Sequence, residues 1–170
     1  MGNESAKKMH VIARVNYKLR MMAIYGLSVL FTTSMWGQER LYTAETAITL
    51  ITALLWPHVL YFTLFLREDS YEGELQNLVI DGFVAGMAAV ICSFDPWFVL
   101  CAAGTLIINT VVNGGLILTA KVLLFALITA ASLQLYFQNG WEYVSNPYSI
   151  VFGSIQMMAY WTFIGKTTHT

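Results

Sequence analysis

The sequence predicts an all-α polytopic membrane protein: a bundle of six transmembrane helices with both termini in the cytoplasm. Hydrophobic residues make up 57% of the chain and charged residues only 11%, against about 25% charged in typical soluble domains. In addition, the segment 44–66 contains a single charged residue, Glu45. A helix of that length crosses the roughly 30 Å hydrocarbon layer at about 1.5 Å per residue. The bilayer is therefore the predicted solvent.

Six apolar segments define the predicted spans, and they cover about residues 19–36, 44–66, 75–94, 97–112, 116–137 and 148–165. In the second span, Pro57 should kink the helix without ending it. The third span ends at Asp95-Pro96, and the fourth ends at Asn113-Gly114-Gly115, where the glycine pair predicts a tight turn. Residues 19–165 thus form one transmembrane domain, followed by a short cytoplasmic tail at 166–170.

Residues 1–18 form a basic cytoplasmic segment ahead of the first span. Within it, residues 3–18 mix apolar side chains with lysine and arginine. That pattern is typical of an amphipathic helix lying against an anionic cytoplasmic leaflet. A disordered tail that only sets the topology is the alternative.

The distribution of basic residues sets the predicted orientation. With the N-terminus inside, the residues on the cytoplasmic side are Lys7, Lys8, Arg14, Lys18, Arg20, Arg67 and Lys166. Only Arg40 falls outside, as the positive-inside rule requires. The net charge of −1 suggests no nucleic-acid surface. The inner loop 67–74 is acidic, and it is either a solvated loop or a contact for the basic N-terminal segment or a cytoplasmic partner.

Polar side chains from several predicted spans share one depth in the inner half of the bilayer. They are His58, Asn77, Asp81, Asn109, Asn113 and Lys121. A charged side chain facing lipid would cost about 2.5–3.5 kcal/mol, so these groups should face one another inside the bundle. We expect Asp81 to pair with Lys121 or His58, although Lys121 could instead snorkel to the inner interface.

Three interpretations of this polar cluster compete. Interhelical hydrogen bonds could simply hold the bundle together. The cluster could instead be a ligand-binding or proton-sensitive site coupled to movement of the last helix. A metal or haem site is the third possibility, but one histidine without a second His or Cys at ligand spacing is a weak signal. The chain shows no phosphate-binding loop, nucleophile–base pair or zinc signature, so we predict neither catalytic residues nor a cofactor.

Small residues and cysteines form two further patterns. Gly82 and Gly86 lie four positions apart, which permits close helix approach within the bundle or between protomers. Cys92 and Cys101 lie in apolar runs on either side of the Asp95-Pro96 turn. They should be buried free thiols, although a disulfide between them is sterically conceivable.

Several of these residues together resemble a known family. Basic residues before the first span are followed by Trp56-Pro57-His58, and then by Glu74-x-x-Asn77-Leu78-x-x-Asp81 running into Gly86-Met87. This arrangement is similar to the second class of membrane-associated sensor (MASE) domains, over about residues 14–165. The family positions on this chain are Trp56, Pro57, His58, Glu74, Asn77 and Asp81.

The resemblance implies a six-helix sensory module that anchors a cytoplasmic diguanylate cyclase or, less often, an adenylate cyclase, and that assists dimerisation. We therefore expect a homodimeric sensor in the bacterial inner membrane that responds to an unidentified stimulus. The chain carries no Gly-Gly-Asp/Glu-Glu-Phe-type motif, so we expect it not to be an enzyme and its cyclase to act in cis or in trans. A small oligomeric transporter or channel is the alternative, and a purely structural anchor is a third.

Overall fold

The computed structural model describes residues 11–67, 69–137 and 147–168. Within these ranges the chain forms five α-helices and no strands. The helices are α1 (Val11–Gly37), α2 (Ala44–Leu66), α3 (Ser70–Ile91), α4 (Pro96–Phe137) and α5 (Pro147–Thr168). The all-α prediction is therefore confirmed, and the positions of the helices follow the predicted apolar segments.

The first helix extends further towards the N-terminus than the predicted first span. α1 runs without a break from Val11 to Gly37, so no boundary separates it from the described part of the basic segment. Ala13 is buried against Leu64 and Tyr61 of α2, while Arg14 is exposed. The described end of the basic segment thus packs on the bundle. The predicted surface helix before Val11 lies outside the described residues.

Acidic and hydroxyl side chains cap the starts of three helices. Thr43 accepts a hydrogen bond from the Thr46 amide at the start of α2. Asp69 accepts from the Tyr71 and Glu72 amides at the start of α3. Asp95 does the same for α4, accepting from Trp97 at 2.9 Å. These caps satisfy backbone donors that the first turn leaves unpaired, and they fix where each helix begins.

The fourth helix reverses direction in its middle. Gly115 has a φ of 69° and a ψ of −169°, a conformation that favours glycine because it lacks a Cβ atom. The Thr110 hydroxyl donates to the Thr119 hydroxyl at 2.9 Å, whereas nine residues of straight helix would separate them by about 13.5 Å. Residues 96–114 and 116–137 therefore lie side by side. The predicted turn at Asn113-Gly114-Gly115 is confirmed.

The second segment of α4 packs closely against α3. A Cβ atom on Gly82 would lie 2.8 Å from the Val122 carbonyl oxygen, and one on Gly86 would lie 2.5 Å from that of Ala126. Both glycines thus serve packing within the chain, and the matched order of the contacts shows that the two helices run parallel. Any larger residue would force the backbones apart.

A compact apolar cluster joins α1, α3 and the first segment of α4. Its buried members include Leu30, Phe31, Cys92, Phe98 and Cys101. Both cysteines are free thiols, which agrees with the prediction of buried thiols.

Three helices are long and apolar enough to cross a membrane within the described ranges. They comprise Ala44–Leu64, Ser70–Ile91 and Pro96–Tyr136. Large apolar side chains are exposed along α2, α4 and α5, as expected where lipid replaces water around a bundle. The chain is thus a helical membrane protein.

Candidate functional site

The most tightly connected polar group of the described chain is centred on Arg20 of α1. Its Nη2 atom donates to Glu74 Oε1 at 2.7 Å, and its Nε atom donates to Asp81 Oδ2 at 2.8 Å. The side-chain exposures are 2% for Arg20, 0% for Glu74 and 12% for Asp81. We call these three residues the ion cluster.

Helix geometry explains why one guanidinium reaches both carboxylates. Glu74 and Asp81 lie seven positions apart on α3, which is about two turns, so their side chains leave the same face. The planar fork of Arg20 presents five N–H donors and spans the distance between them. The cluster therefore joins α1 to α3 across a separation of 54 to 61 positions in sequence.

The ion cluster contains more acidic than basic groups. Arg20 supplies one positive charge, while Glu74 and Asp81 can supply two negative charges. Lys121, the cation predicted to pair with Asp81, is exposed on α4. With both carboxylates ionised, the cluster would therefore carry one negative charge in excess.

The Trp56-Pro57-His58 triplet on α2 contacts two different helices. Trp56 donates its indole N–H to Asp81 Oδ1 at 3.0 Å. His58 instead shares hydrogen bonds with two tyrosines of α1, through Nδ1 with Tyr17 at 3.0 Å and through Nε2 with Tyr25 at 3.4 Å. Residues two positions apart point about 200° apart around a helix, so the triplet connects α2 both to α3 and to α1.

The pairing predicted for Asp81 is wrong. Asp81 bonds to Arg20 and Trp56, not to Lys121 or His58. Lys121 directly precedes Val122, the residue that faces Gly82 of α3. One step along a helix rotates a side chain by about 100°, and Lys121 accordingly lies on the exposed side of α4.

The predicted asparagines occupy different surroundings. Asn113 donates to Asn109 Oδ1 at 2.9 Å, so these two residues pair with each other on α4. Asn77 is 1% exposed on α3, between Glu74 and Asp81, and neither of its side-chain polar atoms has a hydrogen-bond partner among the described residues. The six predicted residues therefore do not form one cluster.

A cavity of about 320 Å³ adjoins the ion cluster, between α1, α2, α3 and the first segment of α4. Arg20, Trp56, Asp81 and Asn109 supply polar lining residues. Most of the remaining wall is apolar, with Leu27, Phe31, Ala53, Ala85, Met87 and Ala102 among its residues. In the described residues, no three His, Cys, Asp or Glu side chains are grouped to hold a metal ion.

Sequence reasoning missed Arg20, the centre of the site. We assigned it to the cytoplasmic basic residues that set topology, although it lies inside the predicted first span at 19–36. An ionisable residue within a span indicates a buried partner, and that rule would have identified it. Tyr17 and Tyr25 left no comparable signal, because tyrosines are common throughout the chain.

Fold and site together define a helical membrane protein with an ion cluster buried inside its bundle. The sequence profile of the MASE2 domain matches residues 15–107, more than half of the chain. The chain therefore belongs to the MASE2 family of membrane-associated sensor domains. The matched range contains the ion cluster and the Trp56-Pro57-His58 triplet. No curated protein and no solved structure matches the chain.

Proposed function

We propose that this chain is the sensory and anchoring module of a cyclic-nucleotide signalling system, and that it regulates a cytoplasmic diguanylate cyclase or adenylate cyclase in cis or in trans. Membership of the MASE2 family supports a sensory role. The observation that carries the proposal is the ion cluster, which joins α1 to α3 directly beside the contact between α1 and the last helix.

The proposed topology has six crossings. They are α1, α2, α3, the two antiparallel segments of α4, and α5. The reversal at Gly115 supports this count, because it divides a helix of 42 residues into two lengths that can each cross the bilayer. An even number of crossings places both termini on one side, and the basic residues favour the cytoplasm. We further propose a bacterial inner-membrane location and a homodimer.

The contact between α1 and α5 offers a route from the ion cluster to the output. Tyr160 of α5 is buried against Leu19, which directly precedes Arg20 on α1, and against Ala23, which lies three positions after it. One turn earlier on α5, Gln156 Nε2 donates to the Ala23 carbonyl oxygen at 3.3 Å. A rotation of α1 that changes the bonds of Arg20 would therefore also move the surface on which α5 rests.

The proposed mechanism is a shift between two packings of the bundle. A stimulus that binds one arrangement of the ion cluster more strongly would change the population of that arrangement. The angle or register of α5 would change with it, and a cyclase domain beyond its C-terminal end would pair productively in only one of the two states.

A fusion of the whole chain to a diguanylate cyclase domain after Thr170 tests this proposal. Asp81→Asn removes a charge that Arg20 and Trp56 both contact, and Lys121→Gln is the matched control on the exposed side of α4. We expect Asp81→Asn to change cyclic di-GMP production by about 5-fold or more, and Lys121→Gln to leave it unchanged. Equal production by Asp81→Asn and the unsubstituted fusion, at equal membrane insertion, would refute the proposal.

The cavity wall also bears on the predicted transporter or channel. Arg20 and Asp81 are the charged residues of the cavity wall, and most of the remaining wall is apolar. Pathways for ions and polar solutes use polar side chains along their length, so this lining favours the sensory proposal. Solute or ion flux in reconstituted vesicles above that of protein-free vesicles would favour the transporter instead.

A further inference from the structure

The cavity beside the ion cluster has the size and composition of a small-molecule site. Its volume of about 320 Å³ lies at the lower end of the roughly 300–1,000 Å³ that ligand pockets occupy. Such sites combine an apolar wall with a few polar groups that orient the ligand. Here the apolar wall comes from four helices, and the charged groups come from Arg20 and Asp81.

Asp81 is the acidic member of the ion cluster that lines the cavity. Its side chain keeps 12% exposure, whereas that of Glu74 has none. Trp56 bonds to one of its oxygens and Arg20 to the other. A carboxylate has about four lone-pair sites, so Asp81 can accept further hydrogen bonds from a donor inside the cavity.

Thr105 supplies a further polar group to the wall. Thr105 lies one turn before Asn109 on α4, and it is only 6% exposed. Its hydroxyl has no hydrogen-bond partner among the described residues. By contrast, Thr119 and Thr129 on the same helix donate to backbone carbonyls four positions earlier. A buried hydroxyl without a partner costs free energy, which a ligand could recover by bonding to Thr105.

The charge of the site selects the ligand's head group. Asp81 is the carboxyl group that lines the cavity, and its oxygens accept hydrogen bonds, so the site favours a head group that carries O–H or N–H donors over an anion or a cation without donors. The cavity is too small for a whole two-chain lipid, and its apolar wall favours a ligand with a single hydrocarbon chain.

We propose that this cavity binds a small single-chain amphipathic molecule whose head is an uncharged or cationic hydrogen-bond donor, such as an alcohol or a primary amine. The head would donate to Asp81 and bond to the Thr105 hydroxyl, and the chain would lie along the apolar wall. This inference deepens the proposed sensory function, and it rests on that function only for the claim that binding changes the output.

Competition between matched probes tests the proposed chemistry. The whole chain, in nanodiscs of one zwitterionic phospholipid, is labelled with a photoreactive decanol, and the labelled residues are mapped by mass spectrometry. Decanol, decylamine, decyl sulfate and decyltrimethylammonium then compete, with each concentration corrected for partition into empty nanodiscs. These probes share one chain and differ in charge and in donor capacity.

We expect saturable labelling of cavity residues such as Ala53, Ala85 or Ala102, with decanol and decylamine as effective competitors. Decyl sulfate should need a concentration about 10-fold higher or more, because its head group has no O–H or N–H to donate to Asp81 and like charges repel. Decyltrimethylammonium, a cation without N–H donors, should also compete weakly. Labelling that does not saturate, or equal competition by all four probes, would overturn the proposal.

Substitution of Thr105 tests the site without disturbing the ion cluster. Thr105→Val keeps the shape and removes the hydroxyl, so we expect the affinity for decanol to fall about 3- to 10-fold. The melting temperature of the ligand-free protein should not fall, because the lost hydroxyl had no partner. Thr129→Val is the control, since it lies outside the cavity wall and loses a satisfied hydroxyl. Unchanged affinity in Thr105→Val would contradict the proposed contact.

Binding and signalling can fail separately. Labelling needs no cyclase, so decanol that binds in the cavity but leaves the output of the cyclase fusion unchanged would support the site and refute the claim that its occupation changes the output. The opposite result is also possible. If Asp81→Asn changes the output, while none of the four probes does and labelling does not saturate, the sensory function is supported and this ligand class is refuted.

Discussion

The chain contains two arginine–carboxylate contacts of almost equal length in very different surroundings. Arg40 bonds to Glu45 at 2.8 Å, with side-chain exposures of 31% and 69%. Arg20 bonds to Glu74 and Asp81 at 2.7 and 2.8 Å, with exposures between 0% and 12%. The first contact joins residues five positions apart in one turn, whereas the second joins helices more than fifty positions apart.

The comparison teaches that burial and connectivity, not contact distance, decide what an ion pair does. An exposed pair is worth about 0–1 kcal/mol, because water and salt screen it. Breaking a buried pair leaves an uncompensated charge and costs about 3–5 kcal/mol. The ion cluster can therefore determine how α1 and α3 pack. The Arg40–Glu45 ion pair acts only within its own turn, and the link from Arg40 to the end of α3 is a separate hydrogen bond to the Ile91 carbonyl oxygen at 3.3 Å.

The largest effect should come from removing the buried cation. Arg20→Met keeps much of the side chain's length but leaves Glu74 and Asp81 without a counter-ion. We expect the free energy of unfolding in bicelles to fall by about 3–5 kcal/mol. If Arg20→Met lowered the free energy of unfolding no more than Arg40→Gln does, the two arginines would not differ as the structure indicates.

Removing one carboxylate should cost less than removing the arginine. Glu74→Gln removes the negative charge from the 2.7 Å contact with Arg20 and leaves one guanidinium facing one carboxylate, Asp81. The expected loss in the same unfolding measurement is about 1–3 kcal/mol, the cost of a weakened buried hydrogen-bonding group. A larger loss of stability in Glu74→Gln than in Arg20→Met would contradict the description of the cluster as two carboxyl groups that share one guanidinium.

A smaller effect should follow from loss of the indole donor. Trp56→Phe removes the 3.0 Å bond to Asp81 and keeps an aromatic ring. We expect a loss of about 1 kcal/mol, with some added cost for the smaller ring. In a double-mutant cycle, Trp56→Phe and Asp81→Asn should be non-additive, because both act on one bond. Strict additivity would argue against that bond.

The smallest effect should be at the exposed pair. Arg40→Gln and Glu45→Gln should each change the free energy of unfolding by less than about 1 kcal/mol. Added salt should reduce the difference from the unsubstituted protein, because screening already weakens an exposed contact. The effect of Arg20→Met should persist in the same salt series. Equal salt sensitivity at the two arginines would remove the distinction between them.

Local features of the fold could be predicted well. The glycine pair at 114–115 indicated the reversal of α4, since a backbone with positive φ favours glycine. Asp95-Pro96 indicated a helix boundary, and Asp95 caps α4. The spacing of Glu74 and Asp81 placed both carboxylates on one face of α3. Each of these predictions depends on residues close together in the chain.

The partner of those carboxylates could not be predicted by the same reasoning. Helical periodicity determines which side chains share a face within one helix, but not how two helices are rotated about their axes relative to each other. Lys121 lies next to the correct face of α4 and is exposed, while Arg20 lies on the buried face of α1. A rotation of α4 by about 100° about its axis would exchange the positions of Lys121 and its buried neighbour Val122, and periodicity alone does not determine that rotation.

The sequence by itself determined a membrane-embedded, all-helical chain of the MASE2 family, with the approximate positions of its helices, the turn at Gly114-Gly115 and the shared face of Glu74 and Asp81 on α3. These properties follow from composition and from contacts within a few residues. Only the tertiary structure decided that Arg20 bonds to both Glu74 and Asp81, that Trp56 and His58 face different helices, and that a cavity adjoins Asp81. Those features depend on the relative rotation of packed helices, which the summed contacts of the whole bundle determine and no single helix encodes.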